Sequence, residues 1–252
     1  VPPGERTISI RAVARYGERT IPLYRTDTPA MNLFALFASV LPLAALYLYG
    51  AMSKWLDKRR PSLSALMNEQ RFNWVTQASR RENPFDAILA GNIMGAVSFF
   101  ASTTALLILA LFTVIGQLPL VAPALATVAF GSPYSQSDLQ VHNIAMLVLF
   151  ISAFLSFTLS LRQFNHFCIL IGASDHTVQT PPEEIRTIAR INGMAAKSFN
   201  SGIRAYYFAV PMVAWFVSSW ASVAATVLTI AVLVHREYFS EARWLVSRVT
   251  PH

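Results

Sequence analysis

The chain has 252 residues, with 20 Lys or Arg against 13 Asp or Glu and a net charge of +7 at neutral pH. Fifty-four per cent of the residues are apolar and only 13% are charged, where soluble domains carry about a quarter charged; this excludes an ordinary soluble globule and points to an integral membrane protein. A basic excess in such a chain belongs to loops that fix topology and meet anionic lipid, not to a nucleic-acid surface, and no zinc-finger spacing or RNA-recognition motif is present.

The first 30 residues carry Arg6, Arg11, Arg15, Arg19 and Arg25 and no apolar core, so they do not read as a secretory signal. They are expected to be an extension ahead of the membrane domain, with the natural start at Met31. Leu33 to Met52 is free of charge and reaches the roughly 20 residues needed to cross about 30 Å of hydrocarbon. The Lys54–Asp86 connection then holds seven basic residues: Lys54, Lys58, Arg59, Arg60, Arg71, Arg80 and Arg81. Within it, Ser62 to Arg81 has Leu63, Leu66, Met67, Trp74 and Ala78 at helical spacing. With Arg71, Arg80 and Arg81 as its charges, it reads as an amphipathic helix on the membrane surface or against the bundle.

Ala87 to Ile115 is the second charge-free stretch. Gly91 and Gly95 form a GxxxG motif that Ser98 and Ser102 extend along one helix face. The Gln117–Gln140 connection has no basic residue. Val141 to Leu161 is the third apolar stretch, with a second stripe of small residues at Ser152, Ser156 and Ser160. Small residues let helices approach closely; the two stripes are expected to pair between the second and third spans, or to form a homodimer interface.

The segment SLRQFNHFCIL, Ser160 to Leu170, then brings Arg162, Asn165, His166 and Cys168 into apolar company. It reads as the inner end of the third span. His166 and Cys168 are two residues apart and point about 200° from each other on a helix, a poor metal pair. The sole cysteine excludes an intrachain disulfide. Downstream, Thr180-Pro181-Pro182-Glu183 reads as a capping box, with Thr180 as cap and Pro181 in the first helical position. Ile185, Ile188, Ala195 and Phe199 mark an apolar face running towards Arg204, weakened by Gly193 and Gly202. Ala205 to Val234 is long for one span, at roughly 45 Å. Ser218-Ser219-Trp220 in its middle reads as the turn of a hairpin of two short spans, although the fourth span can begin before Arg204 and tilt.

Charge placement decides the count. Five spans put both basic connections and the tail residues Arg236, Arg243 and Arg248 on the cytoplasmic side; four would leave the tail outside. The expected fold is therefore an all-α polytopic membrane bundle of five spans, or four if the last two are one helix, with one or two cytoplasmic surface helices. Residues 31–242 form the membrane domain and 243–252 a short basic tail. The N-terminus is outside and the C-terminus inside, in a bacterial cytoplasmic membrane. Trp215 and Trp220 at the outer turn, and Tyr47, Tyr49, Trp55, Tyr206 and Tyr207 near inner boundaries, agree with aromatic belts at headgroup depth.

RFNWVTQASRRENPFDAILAGNIMGAVSFFASTTALLI (71–108), SLRQFNHFCILIGA (160–173) and FNSGIRAYYFAVPMVAWFV (199–217) resemble the domain-of-unknown-function 599 family, over Met31 to Ala242. The resemblance implies a helical integral membrane protein and brings no reaction, cofactor or catalytic residue.

The residues themselves show no catalytic set. No proposed span holds Asp or Glu, no GxSxG elbow or Walker loop appears, and no cofactor or metal is expected. One constellation stands out. Asn92, Arg162, Asn165, Asn200 and Arg204 all fall near inner span ends, where guanidinium forks and amides suit a phosphate or carboxylate. Two readings follow: a non-enzymatic structural, assembly or interaction component, or a small-solute transporter or anionic-lipid-binding protein using this cluster. A lipid-acting enzyme ranks last and would need Asp86 or Glu82 as acid or base. The partners expected are membrane lipids and a second copy or another membrane protein, with no nucleic acid.

Overall fold

A computed structural model of the chain describes residues 32–81, 85–127, 134–175 and 177–249. The start-site expectation and Glu82 lie outside them. Every regular element among the described residues is helical: α1 Leu33–Asp57, α2 Leu63–Ala78, α3 Phe85–Gly116, α4 Leu118–Ala126, α5 Gln136–Gly172, α6 Pro182–Trp215, α7 Ser219–Val234, a π turn His235–Phe239, and α8 Glu241–Val246.

Short polar side chains set most starts, each accepting from backbone N–H groups that the first turn leaves without helical partners. Asn32 caps α1, Ser62 caps α2, Ser218 caps α7 and Ser240 caps α8. A reciprocal capping box forms at Ser135 and Asp138 on α5. The one expected at Thr180 and Glu183 does not form: α6 starts at Pro182 behind Pro181, without a side-chain cap. Proline needs no cap bond for its own absent N–H, and Glu183 instead pairs with Arg186 at 2.6 Å.

Cross-helix bonds fix the directions. Ser39 meets His142, and Tyr47 meets Ser152, so α1 and α5 run parallel. Ser222 donates to the Ala38 carbonyl and the Tyr238 hydroxyl to Asp57, so α7 follows them. The Ser160 hydroxyl reaches the Ala195 carbonyl, His142 the Met212 carbonyl, and Cys168 packs on Met94, so α6 and α3 run the opposite way. One end therefore gathers the starts of α1, α5 and α7 with α4; the other gathers α2, α8 and the π turn.

The core between them is aromatic. Phe100, Phe157, Phe199 and Tyr206 interlock at centroid distances of 5.5–5.9 Å, arrangements that add to their area burial. Gly202 is required here: a Cβ on it would lie 2.5 Å from Phe157.

Among the described residues, four runs are long and apolar enough to cross a membrane: α1, α3, α5, and α7 with its continuation to Val246. The last two helices are not one, because the chain breaks between Trp215 and Ser219 at the expected serines. α6 is a single helix from Pro182 to Trp215, so the segments expected as an inner surface helix and as the start of a fourth span are continuous.

The α5 helix runs through SLRQFNHFCIL to Gly172. A further sequence expectation is corrected. The two small-residue stripes do not pair: Gly91, Gly95, Ser98 and Ser102 are exposed, and α3 turns Ala90, Val97, Ala101 and Thr104 inward. The other stripe divides its contacts, with Ser152 bonding α1, Ser160 bonding α6, and Ser156 its own backbone.

The end of the chain also holds α2 in place. The Glu237 carboxylate accepts from the Ser64 N–H at 3.2 Å, and the Arg243 guanidinium donates to the Pro61 carbonyl at 2.9 Å.

Candidate functional site

Three helix faces converge on a cavity of about 510 Å³ at the α2 end. α6 contributes Arg186, Arg190, Gly193, Lys197, Asn200 and Arg204. Their spacing of alternating fours and threes keeps them on one face. α1 contributes Gly50, Ser53, Lys54 and Asp57, and α2 contributes Ser64, Ala65, Asn68, Arg71 and Phe72, again at helical spacing. The approach of α2 depends on Gly193, where an added Cβ would lie 3.2 Å from the Asn68 side-chain oxygen.

A second cavity of about 180 Å³ shares Ser64, Arg71, Asn200 and Arg204 with the first and is further lined by Tyr49, Tyr207, Arg236 and Glu237. Arg71 and Arg204 therefore stand at the junction of the two. Both are half-buried.

The balance of charge is strongly positive. The larger cavity is lined by six basic side chains and one carboxylate. That carboxylate, Asp57, already accepts from the Tyr238 hydroxyl at 2.8 Å. Arg186 is paired with Glu183. Among the described residues, Lys54, Arg71, Arg190, Lys197 and Arg204 have no carboxylate within 4.0 Å. Arg71 donates to the Asn68 side-chain oxygen at 3.3 Å. Its burial holds the guanidinium pKa below the ordinary value, the direction expected when a cation loses water without gaining an anion. The Arg204 guanidinium lies 5.4 Å from the Tyr49 ring centre.

This arrangement suits anion binding. Two guanidinium forks, an amide at Asn200 and the hydroxyl of Ser64 can share the oxygens of a phosphate or carboxylate. Asn200 donates to Ser64 at 3.3 Å, which places both polar ends together. Among the described residues, no group of three His, Cys, Asp or Glu side chains is placed to hold a metal ion.

Of the five residues singled out from sequence, the structure brings Asn200 and Arg204 together in the cleft and leaves three outside it. Asn92 on α3, and Arg162 and Asn165 on α5, are exposed and line neither cavity. His166 is exposed beside them, and Cys168 Sγ rests 3.7 Å from Met94 Sδ. Sequence reasoning missed Lys54, Arg71, Arg190 and Lys197. The signal for two of them was available: Arg186, Arg190, Lys197 and Arg204 repeat at intervals of four, seven and seven, a basic stripe opposite the apolar one. Asp86 lies elsewhere, anchoring α2 to α3 by accepting from the Trp74 indole at 2.6 Å and Arg81 at 3.3 Å.

The family model described as protein of unknown function, DUF599, matches residues 37–242. No curated protein and no solved structure matches the chain. The match covers most of the sequence, and the chain belongs to the DUF599 family.

Proposed function

We propose that this DUF599 protein is a five-span membrane protein that binds an anionic phosphate or carboxylate group in the cleft between α1, α2 and α6. The observation that carries the reading is the pair Arg71 and Arg204, half-buried at the junction of two cavities with no carboxylate of the described chain within 4.0 Å. Burying a cation is costly unless an anion and hydrogen bonds compensate, so such a pair is most stable with an anion between its forks.

The direction of the helices supports five crossings. α1, α5 and α7 run one way, and α3 and α6 the other. Every described Lys and Arg falls in the half of the bundle that holds α2, which the charge rule assigns to the cytoplasm. α6 then makes the fourth crossing with its second half, whose one charged residue is Arg204, and its first half, with Arg186, Arg190 and Lys197, stands at the inner interface. At that depth the anion has two sources, a lipid headgroup or a soluble metabolite.

The test uses protein in nanodiscs of neutral phosphatidylcholine. Orthophosphate is titrated as the soluble probe, and phosphatidylglycerol is mixed into the disc as the lipid probe. Arg71→Gln and Arg204→Gln are each expected to weaken the productive probe by roughly tenfold or more, the scale of losing one charge-assisted fork. Which probe responds identifies the source. Binding of both probes that is unchanged in both variants refutes the site.

A further inference from the structure

We propose that the cleft is built for a ligand carrying two phosphate groups, held in two tiers; this rests on the anion-site reading above. The inner tier is Arg71, Arg204 and Asn200, half-buried where the two cavities meet. The outer tier is Lys54, Arg190 and Lys197, which are exposed along the same cavity and have no carboxylate of the described chain within 4.0 Å.

Charge and size both call for the second phosphate. One phosphate monoester brings about −1.5 to −2 at neutral pH, close to the charge of the two inner guanidinium groups, and a diester only about −1; either leaves the outer three cations alone. A cavity of about 510 Å³ is in the range of sites for whole small molecules, far more than one phosphate occupies. On α6, Lys197 stands seven residues from Arg190 and seven from Arg204, about 10.5 Å of rise in each direction. The outer cations therefore reach a group displaced from the inner forks, not the group the forks hold.

Residue type follows the same division. The inner tier uses arginine, whose planar fork fixes one phosphate in orientation. The outer tier is mainly lysine, a mobile point charge that follows a second phosphate wherever the linkage places it. Two ligand sources share this chemistry: a soluble diphosphate, and a lipid with two phosphates in its headgroup.

The experiment compares matched probes on protein in phosphatidylcholine nanodiscs: pyrophosphate against orthophosphate, and cardiolipin against phosphatidylglycerol. The expected result is a preference of about tenfold or more for the two-phosphate member of one pair, falling as salt rises. Lys54→Gln, Arg190→Gln and Lys197→Gln combined should erase that preference while lowering one-phosphate binding much less; Arg71→Gln should weaken both members. Equal affinity within both pairs, or a preference that survives the triple variant, overturns the two-tier proposal and leaves the anion site standing. Failure of every probe to bind removes the anion site as well. Size-exclusion profiles and unfolding midpoints of the variants confirm that exposed substitutions leave the fold intact.

Discussion

At one end of the bundle, Trp215 is fully buried between Tyr134 and His142, with ring centres 3.9 and 4.1 Å away. Its indole N–H donates to the Ala35 carbonyl, and Tyr134 donates to the Trp215 carbonyl. His142 Nε2–H bonds the Met212 carbonyl at 3.1 Å, which leaves Nδ1 to accept from Ser39 at 2.9 Å. Asp138 is the only charged side chain among the described residues there, and it is spent on a helix cap. At the other end the helices part around a cleft, and the arginines lean on rings that leave them accessible: Arg59 on Trp55, Arg204 on Tyr49, Arg236 on Tyr207, Arg248 on Trp244. The contrast is between polar groups that satisfy one another and cations that do not. The first arrangement gives stability; the second leaves free energy available to a ligand.

That contrast is open to direct attack. Trp215→Ala has the largest expected effect, about 3–5 kcal/mol of lost stability. It removes the middle of the ring stack and the indole's bond to the Ala35 carbonyl. Reversible unfolding in mixed micelles reads the loss; a change under 1 kcal/mol would mean that this end is not the lock. Arg71→Gln should act with the opposite sign or hardly at all, within about 0.5 kcal/mol without ligand, since it relieves a desolvated cation. Saturating phosphate probe should raise the unfolding midpoint of the unaltered chain and not that of the variant. A loss of several kcal/mol without ligand would make Arg71 a structural residue and dissolve the distinction between the ends. Gly95→Leu tests the neutral ground between them. Its Cβ would meet nothing within 4 Å, so monomer stability should hold within about 0.5 kcal/mol. A fall in oligomer size by light scattering would show that another helix packs on the exposed face of α3.

The helices themselves were legible because charge-free runs and serine breaks are local signals. The Ser218–Ser219 turn is one instance: Ser218 accepts from the Ala221 N–H and starts α7 where the sequence places it. Facing was not legible. α3 is apolar nearly all round, so nothing in its own sequence says whether Gly91 and Gly95 or Val97 and Ala101 meet the bundle; GxxxG favoured the former, and packing against α5 selected the latter. The site divided the same way. Asn200 and Arg204 were visible as polar residues at a span end. Arg71 was assigned to the polar face of α2 because only its own helix was in view, and the cavity it enters is made by α6. Arg162 was drawn in by its place after an apolar run, but α5 continues past it and turns it outward.

The bond from Ser64 to Glu237 joins residues 173 positions apart. At typical synthesis rates of 5–20 residues per second, α2 leaves the ribosome roughly 10–35 s before the carboxylate that fastens it exists. Until then the inner wall of the cleft has no clasp on its first turn, and Asp57 has no tyrosine. On the proposed five-span reading, insertion can be complete before the cleft takes shape, so a truncation that removes only the final turns should still reach the membrane while lacking the proposed anion site.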